Sequence, residues 1–424
     1  MMSHVAAHDI ATSTLPHSPG AAPVGASQRI ASIDVLRGVA LLGILVMNIQ
    51  SFAMPDATYL NPTVYGDLTG ANLWVWLAGR LFADEKMYGI FSMLFGAGIL
   101  LMTGRVEARG ARPARLHFRR MAWLMLFGLL HAHLLWSGDI LWFYGVGGLI
   151  VYAFRRWPPR RLVAAAVVFF AIGSATFVSV GALVRSLPPQ EYQAFTQENW
   201  QPTPEMIQDE IATYRSGWLR QMPLRSTDAL FMEIVVFLMF LGWKTIANML
   251  LGMALFKWRV ITGERPRMLY KRMAAAGFLI GLPIVAFGIW KDFAGGWDGR
   301  YSFFFGSQYN YWGAIIVDMG WIGAIMLFSA SDHLPALKAA LAALGRTAFS
   351  NYILQTLICS AIFYGNGLGL FGAVSRVQQL LIVVAIWIVQ LAAARWWLRH
   401  FSFGPFEWLW RSLTYWQRMP FRAA

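Results

Sequence analysis

Long apolar runs, separated by short polar segments, recur along the whole chain. One of them, LVAAAVVFFAIGSATFVSVGALV at residues 162–184, contains no charged residue. As an α-helix it is long enough to cross the hydrocarbon core of a bilayer, which is roughly 30 Å thick. The strands of a membrane barrel would instead alternate apolar and polar positions. The chain is therefore predicted to be an all-α integral membrane protein, a polytopic bundle of about ten transmembrane helices. These helices are predicted near residues 35–53, 86–103, 119–136, 140–154, 162–185, 229–256, 273–290, 309–330, 347–364 and 378–398.

Basic residues concentrate in every second connection between these runs. The second, fourth and sixth connections, at 104–120, 155–161 and 257–272, hold six, four and six basic residues. The first, fifth and ninth connections, at 54–72, 187–228 and 365–375, hold none, three and none. Short cytoplasmic loops carry the excess of Lys and Arg in membrane proteins. Both termini are therefore predicted to lie in the cytoplasm, with the protein in a bacterial inner membrane.

The polar ends and the longest connection define three further regions. Residues 1–28 are rich in Ala, Ser and Pro and are predicted to form a disordered cytoplasmic tail. The transmembrane bundle is assigned to residues 29–400, with an extracytoplasmic amphipathic helix in the insert near 187–228. Residues 401–424 are aromatic and basic, which predicts a tail at the cytoplasmic interface. The short segment 73–85 is either an interfacial helix or the start of a longer second span.

Composition narrows the classes of function. Hydrophobic residues make up 57% of the chain and charged residues only 13%, whereas about 25% of residues are charged in soluble domains. The net charge is +14, but it resides in loops between apolar runs, so nucleic acid is not an expected partner. With a single cysteine, Cys359, the chain builds no disulfide or thiolate metal site, and no metal is expected. The lipid bilayer is the expected partner, and formation of a homodimer is left open.

Two histidines and an aspartate lie in the otherwise apolar and aromatic stretch GLLHAHLLWSGDILWFYG, residues 128–145. Ionisable groups in apolar spans usually face the interior of the bundle. His131 is either a buried imidazole that hydrogen-bonds a carbonyl, or a general base or proton relay that a neighbouring carboxylate makes more basic. Asp139 is either that catalytic partner or the N-terminal cap of the following helix. His133, two residues from His131, is poorly spaced for chelating a metal and is expected to be packing.

The first span carries a second polar constellation. Asp34 and Arg37 are three residues apart at the cytoplasmic entrance, where Arg37 can bind an anionic headgroup or a cofactor phosphate. Asn48 lies three turns further along the same face and is either interhelical glue or an oxyanion donor. Arg346 stands at a second cytoplasmic entrance and is grouped with Asp34 and Arg37 as a binding residue.

Other polar side chains in the spans are candidates for a substrate path. Lys86 lies at the predicted outer mouth of the second span, and Lys244 lies deep in the sixth, where it needs a carboxylate, a carbonyl cage or water. Asn351 and Gln355 share a helical face, and Tyr352 lies beside them. Asn351 and Gln355 therefore predict a polar stripe that runs into the membrane.

Five motifs, in order, resemble a known family. They are RIASIDVLRGVALLGILVMN, KMYGIFSMLFGAG, GLLHAHLLWSGDIL, ALGRTAFSNYILQTLI and FGPFEWLWRSLTYW. They are similar to the recurrent motifs of the YeiB-like bacterial inner-membrane proteins, a family named for a domain of unknown function, over about residues 29–418. The opening Asp34-x-x-Arg37-Gly38 is also similar to the start of heparan-α-glucosaminide N-acetyltransferase and of the wider transmembrane acyltransferases.

The distant resemblance implies transfer of an acetyl or other acyl group from cytoplasmic acyl-CoA to a small-molecule, glycan or lipid acceptor. Acyl-CoA would be a co-substrate, and no tightly bound cofactor is expected. Members of the wider group use a catalytic histidine soon after the first span, but here Asn48 is followed by IQSFAMPDATYLNP, which contains none. The hypothesis is that His131 replaces it in space. A transporter or flippase, with His131, Lys244 and Asp139 as coupling or substrate groups, is the alternative, followed by a lipid-binding or scaffold protein with no turnover.

Overall fold

The computed structural model describes residues 30–422, so the tail predicted at 1–28 lies outside the described residues. Within these bounds the chain is helical, and its one β-type pairing is an isolated antiparallel bridge between Phe401 and Arg422. We number the helices α1 (Ala31–Ala53), α2 (Gly70–Phe82), α3 (Lys86–Ala108), α4 (Ala114–Leu134), α5 (Leu141–Phe154), α6 (Pro159–Arg185), α7 (Pro189–Asn199), α8 (Pro204–Tyr214), α9 (Trp218–Lys257), α10 (Arg267–Ala294), α11 (Gly299–Ser329), α12 (Pro335–Arg346), α13 (Ala348–Phe363), α14 (Arg376–His400) and α15 (Pro405–Tyr415).

Seven helical segments in residues 30–422 are long and apolar enough to cross a membrane. They are α1, α2 continued by α3, α6, α9, α10, α11 and α14. Helices α5 and α13 are apolar but shorter, and α4 carries several basic residues in its first two turns. Each predicted apolar segment coincides with a helix, so an all-helical chain with seven candidate spans is confirmed. The count of ten spans and their orientation stay predictions.

The segment 73–85 forms most of a separate helix, α2, and the chain breaks before α3. Glu85 adopts a left-handed conformation with φ of 63° at the break. Two side chains bind the carbonyls left free by the interruption. The Trp321 indole N–H donates to Phe82 O at 3.0 Å, and the Lys86 ammonium donates to Arg80 O at 2.8 Å. The break is therefore held by Trp321 of α11 and by Lys86, the first residue of α3.

The insert near 187–228 contains more helices than the single amphipathic one expected. It forms α7, α8 and the first turns of α9. Helix α8 ends at Tyr214, and the side-chain amide of Gln221 donates to Tyr214 O at 2.9 Å and to Ser216 O at 2.7 Å. These bonds satisfy carbonyls at the end of α8, which explains why the amphipathic pattern does not continue as one helix.

Helix α1 packs against α3, α12, α13 and α14, and its approach to α12 is very close. A Cβ atom on Gly345 would lie 1.9 Å from Asp34 O, and a Cβ atom on Gly38 would lie 2.2 Å from Leu341 O. Only glycine fits at these two crossing positions. This crossing places Arg37 of α1 beside the end of α12.

Candidate functional site

An internal cavity opens at the end of the bundle that carries the arginine-rich connections. Its inner part, the apolar chamber, has a volume of about 220 Å³ and a mostly apolar lining that includes Leu41, Ile44, Phe91, Phe95, Tyr144, Phe349 and Tyr352. Its outer part, of about 180 Å³, is lined by six arginines, Arg37, Arg105, Arg109, Arg120, Arg346 and Arg411, which we call the arginine mouth. Arg37, Arg120, Arg346 and Arg411 line both parts, so the two are continuous. An anionic group would be favoured at the mouth, and an apolar chain in the chamber.

The predicted binding residues Asp34, Arg37 and Arg346 come together at the arginine mouth. Arg37 Nη1 donates to Asp34 Oδ1 at 3.0 Å and to Gly345 O at 3.3 Å, so its guanidinium is fixed by both helices of the close crossing. Asp34 and Arg346 both line the mouth. The other arginines of the mouth were not singled out individually, because they come from α3, α4, α15 and the loop after α3, and their convergence depends on tertiary packing.

Helix α15 covers one side of the cavity. Five of its residues, Glu407, Trp410, Arg411, Thr414 and Tyr415, line the chamber. The guanidinium of Arg120 lies 4.1 Å from the centre of the Trp410 ring, and the Trp410 indole N–H donates to Arg120 O at 2.9 Å. The tail predicted at 401–424 thus contributes directly to the cavity wall.

Glu407 fastens α15 to the N terminus of α13. Its carboxylate accepts hydrogen bonds from the Phe349 N–H at 2.7 Å, the Ser350 N–H at 3.2 Å and the Ser350 hydroxyl. These are N–H groups that the first turn of a helix cannot satisfy internally. Burial raises the pKa of the Glu407 carboxyl, and the hydrogen bonds from Ser350 and Phe349 oppose that rise.

His131 and Asp139 form a buried pair, which we call the dyad. His131 Nδ1 lies 2.8 Å from Asp139 Oδ1, and each side chain is only 2% exposed. The other carboxylate oxygen accepts the Trp142 N–H at 2.8 Å, so Asp139 also caps α5. His131 Nε2 lies 2.9 Å from the Thr356 hydroxyl. Because the carboxylate holds the proton on Nδ1, Nε2 is the nitrogen with the free electron pair, and Thr356 donates to it.

Tyr352 lies between the dyad and the apolar chamber. Its ring centre is 5.1 Å from that of His131, and the same side chain lines the chamber. The Tyr352 hydroxyl is buried beside the backbone of Ile140 and makes no well-formed hydrogen bond with the described residues. The histidine itself is not among the chamber-lining residues. A ligand in the chamber would therefore meet Tyr352 first.

The remaining predicted residues of α13 pack against α14. The Asn351 side-chain amide donates to Thr347 O at 2.9 Å, and the Gln390 side-chain amide donates to Asn351 O at 3.0 Å. The Gln355 side-chain amide donates to Gln390 Oε1 at 3.0 Å. Asn351 and Gln355 therefore join two helices and do not line the cavity. The two side chains share one helical face, as their spacing predicted, but that face is directed toward α14.

The predicted lysines lie in a separate buried network. Lys244 forms an ion pair with Glu85 at the break before α3, which supplies the carboxylate it was expected to need. Lys86 donates to Asn310, whose side-chain amide donates in turn to Asp84 Oδ2 at 3.1 Å. None of these residues lines the chamber or the mouth.

Two further residues singled out in the sequence, Asn48 and His133, do not line the cavity. Asn48 is half-buried in α1 and lines neither the apolar chamber nor the arginine mouth. His133 lies 3.6 Å from Glu233, between α4 and α9. In the described part of the chain, no group of three or more His, Cys, Asp or Glu side chains is placed to hold a metal ion.

Comparison with known proteins gives relatives along nearly the whole chain. The family described as "Protein of unknown function (DUF418)" matches residues 255–417. The uncharacterized protein YeiB of Escherichia coli (strain K12) is 32% identical over 393 residues, which cover 91% of this chain and 96% of YeiB. The uncharacterized protein YxaH of Bacillus subtilis (strain 168) is 32% identical over 420 residues, covering 93% and 97%. An uncharacterized 39.9 kDa protein in the amylase 3′ region of Bacillus acidopullulyticus is 24% identical over 405 residues, covering 94% and 97%. The resemblance in the five motifs is thereby confirmed, and the chain belongs to the YeiB-like family.

Proposed function

We propose that this protein is a membrane acyltransferase that takes an acyl group from acyl-CoA at the arginine mouth and passes it to an acceptor beside the dyad. One observation carries the proposal. The arginine mouth opens into an apolar chamber that ends near Tyr352, and Tyr352 contacts the His131–Asp139 dyad. A cationic entrance, an apolar channel and a buried base thus follow one another along a single path.

The same proposal includes a topology of ten spans in a bacterial inner membrane. The seven candidate spans are completed by α4, α5 and α13, each of which coincides with a predicted apolar segment. The arginine-rich connections, and with them the arginine mouth, then face the cytoplasm. That side is where a soluble acyl-CoA is available. The acceptor, a small molecule, glycan or lipid, would reach the dyad from the other side.

The donor half of the reaction rests on charge and polarity. Guanidinium groups bind phosphate oxygens in bidentate fashion, so the mouth suits the phosphates of CoA. The lining of the mouth contains six arginines and only two carboxylates, Asp34 and Glu407. Asp34 binds Arg37, and Glu407 binds the N terminus of α13. The net positive charge of this lining favours an anionic ligand. The thioester arm would extend into the apolar chamber.

The transfer step uses the free electron pair of His131 Nε2. That nitrogen takes the proton of the acceptor hydroxyl or amine as its oxygen or nitrogen attacks the thioester carbonyl carbon. Asp139 keeps the other ring proton in place and stabilises the imidazolium. The carbon–sulfur bond then breaks, and the thiolate of CoA takes the proton from His131. The Thr356 hydroxyl, which lies 3.5 Å from Tyr352 O, turns to that carbonyl and leaves Nε2 to the acceptor.

The Tyr352 hydroxyl is suited to the oxyanion that forms in this step. It is buried, it lines the chamber, and it makes no well-formed hydrogen bond with the described residues. A preorganised donor at a developing negative charge is the usual means of stabilising such an intermediate. We therefore assign to Tyr352 the role that the sequence suggested for Asn48.

The experiment is a measurement of thermal stability in detergent with acetyl-CoA and longer acyl-CoAs. Ligand that binds the folded state raises the unfolding temperature in a dose-dependent way. We expect acyl-CoA to stabilise the wild type. The apparent affinity of Arg37→Ala for acyl-CoA should be at least ~10-fold weaker, and Arg112→Ala should be stabilised as the wild type is. Arg112 is an exposed arginine of the neighbouring loop that does not line the mouth. Absence of stabilisation of the wild type by any acyl-CoA would refute the donor site.

A transporter or flippase is the second candidate, favoured by the buried ion pair between Lys244 and Glu85. Charged groups inside a bundle often mark ion or substrate paths. This network is separate from the cavity, so the two candidates can be tested independently. If no acyl-CoA stabilises the protein, transport becomes the leading function. Proton flux into proteoliposomes that contain the wild type or Lys244→Met is then the measurement.

A further inference from the structure

His117 is a buried histidine of the cavity wall that the proposed reaction does not use. It lies in the first turn of α4, is fully buried and lines the apolar chamber. Its ring stacks on that of Tyr152, with 4.5 Å between ring centres. Its Nε2 atom lies 3.0 Å from Gly148 O of α5. The ring is thus fixed in position on one face and at one nitrogen.

These contacts determine which ring nitrogen carries the proton. A carbonyl oxygen accepts and cannot donate, so Nε2 is the protonated nitrogen and Nδ1 holds the free electron pair. Burial, and secondarily the nearby cationic side chains of Arg120 and Arg155, favours the neutral form of the ring. Nδ1 is buried and has no hydrogen-bond partner among the described residues. Buried acceptors without a partner are uncommon and call for an explanation.

The surroundings of His117 indicate what its Nδ1 would bind. The arginine mouth offers N–H donors, which suit phosphate oxygens but not a ligand's own donors. His117 lines the chamber next to Arg120, just inside that mouth. A neutral imidazole there has the acceptor needed for a hydroxyl or amide N–H that follows the phosphates of a ligand. The phosphopantetheine arm of CoA carries such donors, whereas the ester-linked chains of phosphatidic acid carry none.

We infer that His117 is a specificity residue that accepts a hydrogen bond from the pantetheine-type arm of a phosphorylated ligand and makes the cavity selective for CoA compounds over phospholipids. This inference rests on the proposed function, because it concerns the same cavity. It adds a requirement that the arginines alone do not impose. Arginines bind any phosphate, while His117 responds to the chemistry of the segment behind it.

The test compares two ligands that share the adenosine 3′-phosphate and the first 5′-phosphate and differ beyond them, where coenzyme A continues with one more phosphate and the arm. Coenzyme A carries the pantetheine arm, and adenosine 3′,5′-bisphosphate lacks it. Binding is measured by calorimetry on the full chain in detergent. The variant is His117→Gln, whose side-chain amide can keep the bond to Gly148 O while the Nδ1 acceptor is removed. His400→Gln, at an exposed histidine outside the cavity, is the matched control.

We expect His117→Gln to lower the affinity for coenzyme A about 3- to 10-fold, which is the effect of losing one hydrogen bond. The affinity for adenosine 3′,5′-bisphosphate should stay within about twofold, and His400→Gln should bind both ligands as the wild type does. An equal loss of affinity for both ligands would mean that His117 only supports the cavity. An unchanged affinity for both would mean that it does not contact the arm. Either result overturns the inference while the proposed function stands.

Two further measurements keep the outcomes distinct. His117→Asn retains an acceptor near the Nδ1 position and should bind coenzyme A more tightly than His117→Gln. The reverse order of the two affinities would overturn the inference, even if one variant is poorly stable. In a competition experiment, phosphatidic acid should displace coenzyme A only weakly from the wild type. Equal displacement would identify a lipid headgroup as the ligand and refute the selectivity. Failure of the wild type to bind either nucleotide would refute the proposed function itself.

Discussion

Replacement of Glu407 with glutamine is predicted to loosen α15 from the wall of the cavity. The carboxylate accepts two backbone N–H groups and one hydroxyl from Phe349 and Ser350. An amide keeps one acceptor oxygen and places a donor where the second oxygen stood. About one charge-assisted hydrogen bond, roughly 1.5–3 kcal/mol, is then lost. The interaction of the charge with the N terminus of α13, about 0.3–1 kcal/mol, is lost as well.

Part of this loss is offset, because the buried carboxylate that is removed carried a desolvation penalty, as its raised pKa indicates. We expect a net weakening of about 2 kcal/mol, which corresponds to a ~30-fold change in the equilibrium between docked and undocked α15. The contact between Arg120 and Trp410 remains in the variant. Complete release of the helix is therefore not expected.

Hydrogen–deuterium exchange measures this equilibrium directly. Amide protection in Pro405–Tyr415 should fall by roughly 30-fold in Glu407→Gln, and protection in α6 should not change. The control is Glu264→Gln, since Glu264 is an exposed carboxylate that pairs with Arg259. Protection of α15 equal to that of the wild type would refute the conclusion that Glu407 holds this helix in place.

Three other predictions concern the dyad, the close helix crossing and the insert. Asp139→Asn should retain the cap of α5 but leave the proton of His131 on Nε2, the nitrogen that faces the acceptor. Acyl transfer from labelled acyl-CoA in membrane vesicles should then fall about 10³- to 10⁴-fold. Near-normal transfer would remove the dyad from the mechanism. Gly345→Ala should lower stability by about 2–4 kcal/mol, because the added Cβ meets Asp34 O at 1.9 Å, whereas Gly104→Ala, with open space around it, should have little effect on the thermal midpoint. Burial, and secondarily Asp228, raises the pKa of Glu210 to about 7. Between about pH 4.5 and 7 the folded state therefore binds more protons than the unfolded state. The free energy of unfolding should fall as the pH rises through that window, by at most about 3 kcal/mol. Glu210→Gln should flatten this dependence in thermal scans, and an unchanged slope would contradict the assignment.

The sequence was sufficient for features that depend on local pattern. Apolar length predicted the ten apolar segments that form helices, and the arginine-rich connections predicted the charged end of the bundle. The proximity of His131 and Asp139 was also accessible, since the two residues flank one tight turn between α4 and α5. In each case the information lies within a few turns of helix.

Features that depend on which helices are neighbours were not accessible. Thr356 is one hydroxyl in an apolar helix, and its contact with His131 joins residues 225 positions apart. Glu407 caps a helix whose first turn is 58 positions away. Helical spacing did place Asn48 on the face of Arg37, but the cavity leaves α1 near Leu41 and Ile44 and continues between other helices. Periodicity defines the face of a helix and not the length over which a cavity follows it.

The close crossing of α1 and α12 also constrains how the protein is made. Arg37 donates to Gly345 O across a separation of 308 residues. At a synthesis rate of about 5–20 residues per second, Gly345 is added roughly 15–60 s after Arg37. Throughout that interval α1 is already synthesised while the helix that fits its glycine face does not yet exist. The arginine mouth is therefore among the last parts of the protein to assemble, and a nascent chain arrested before α12 cannot contain it.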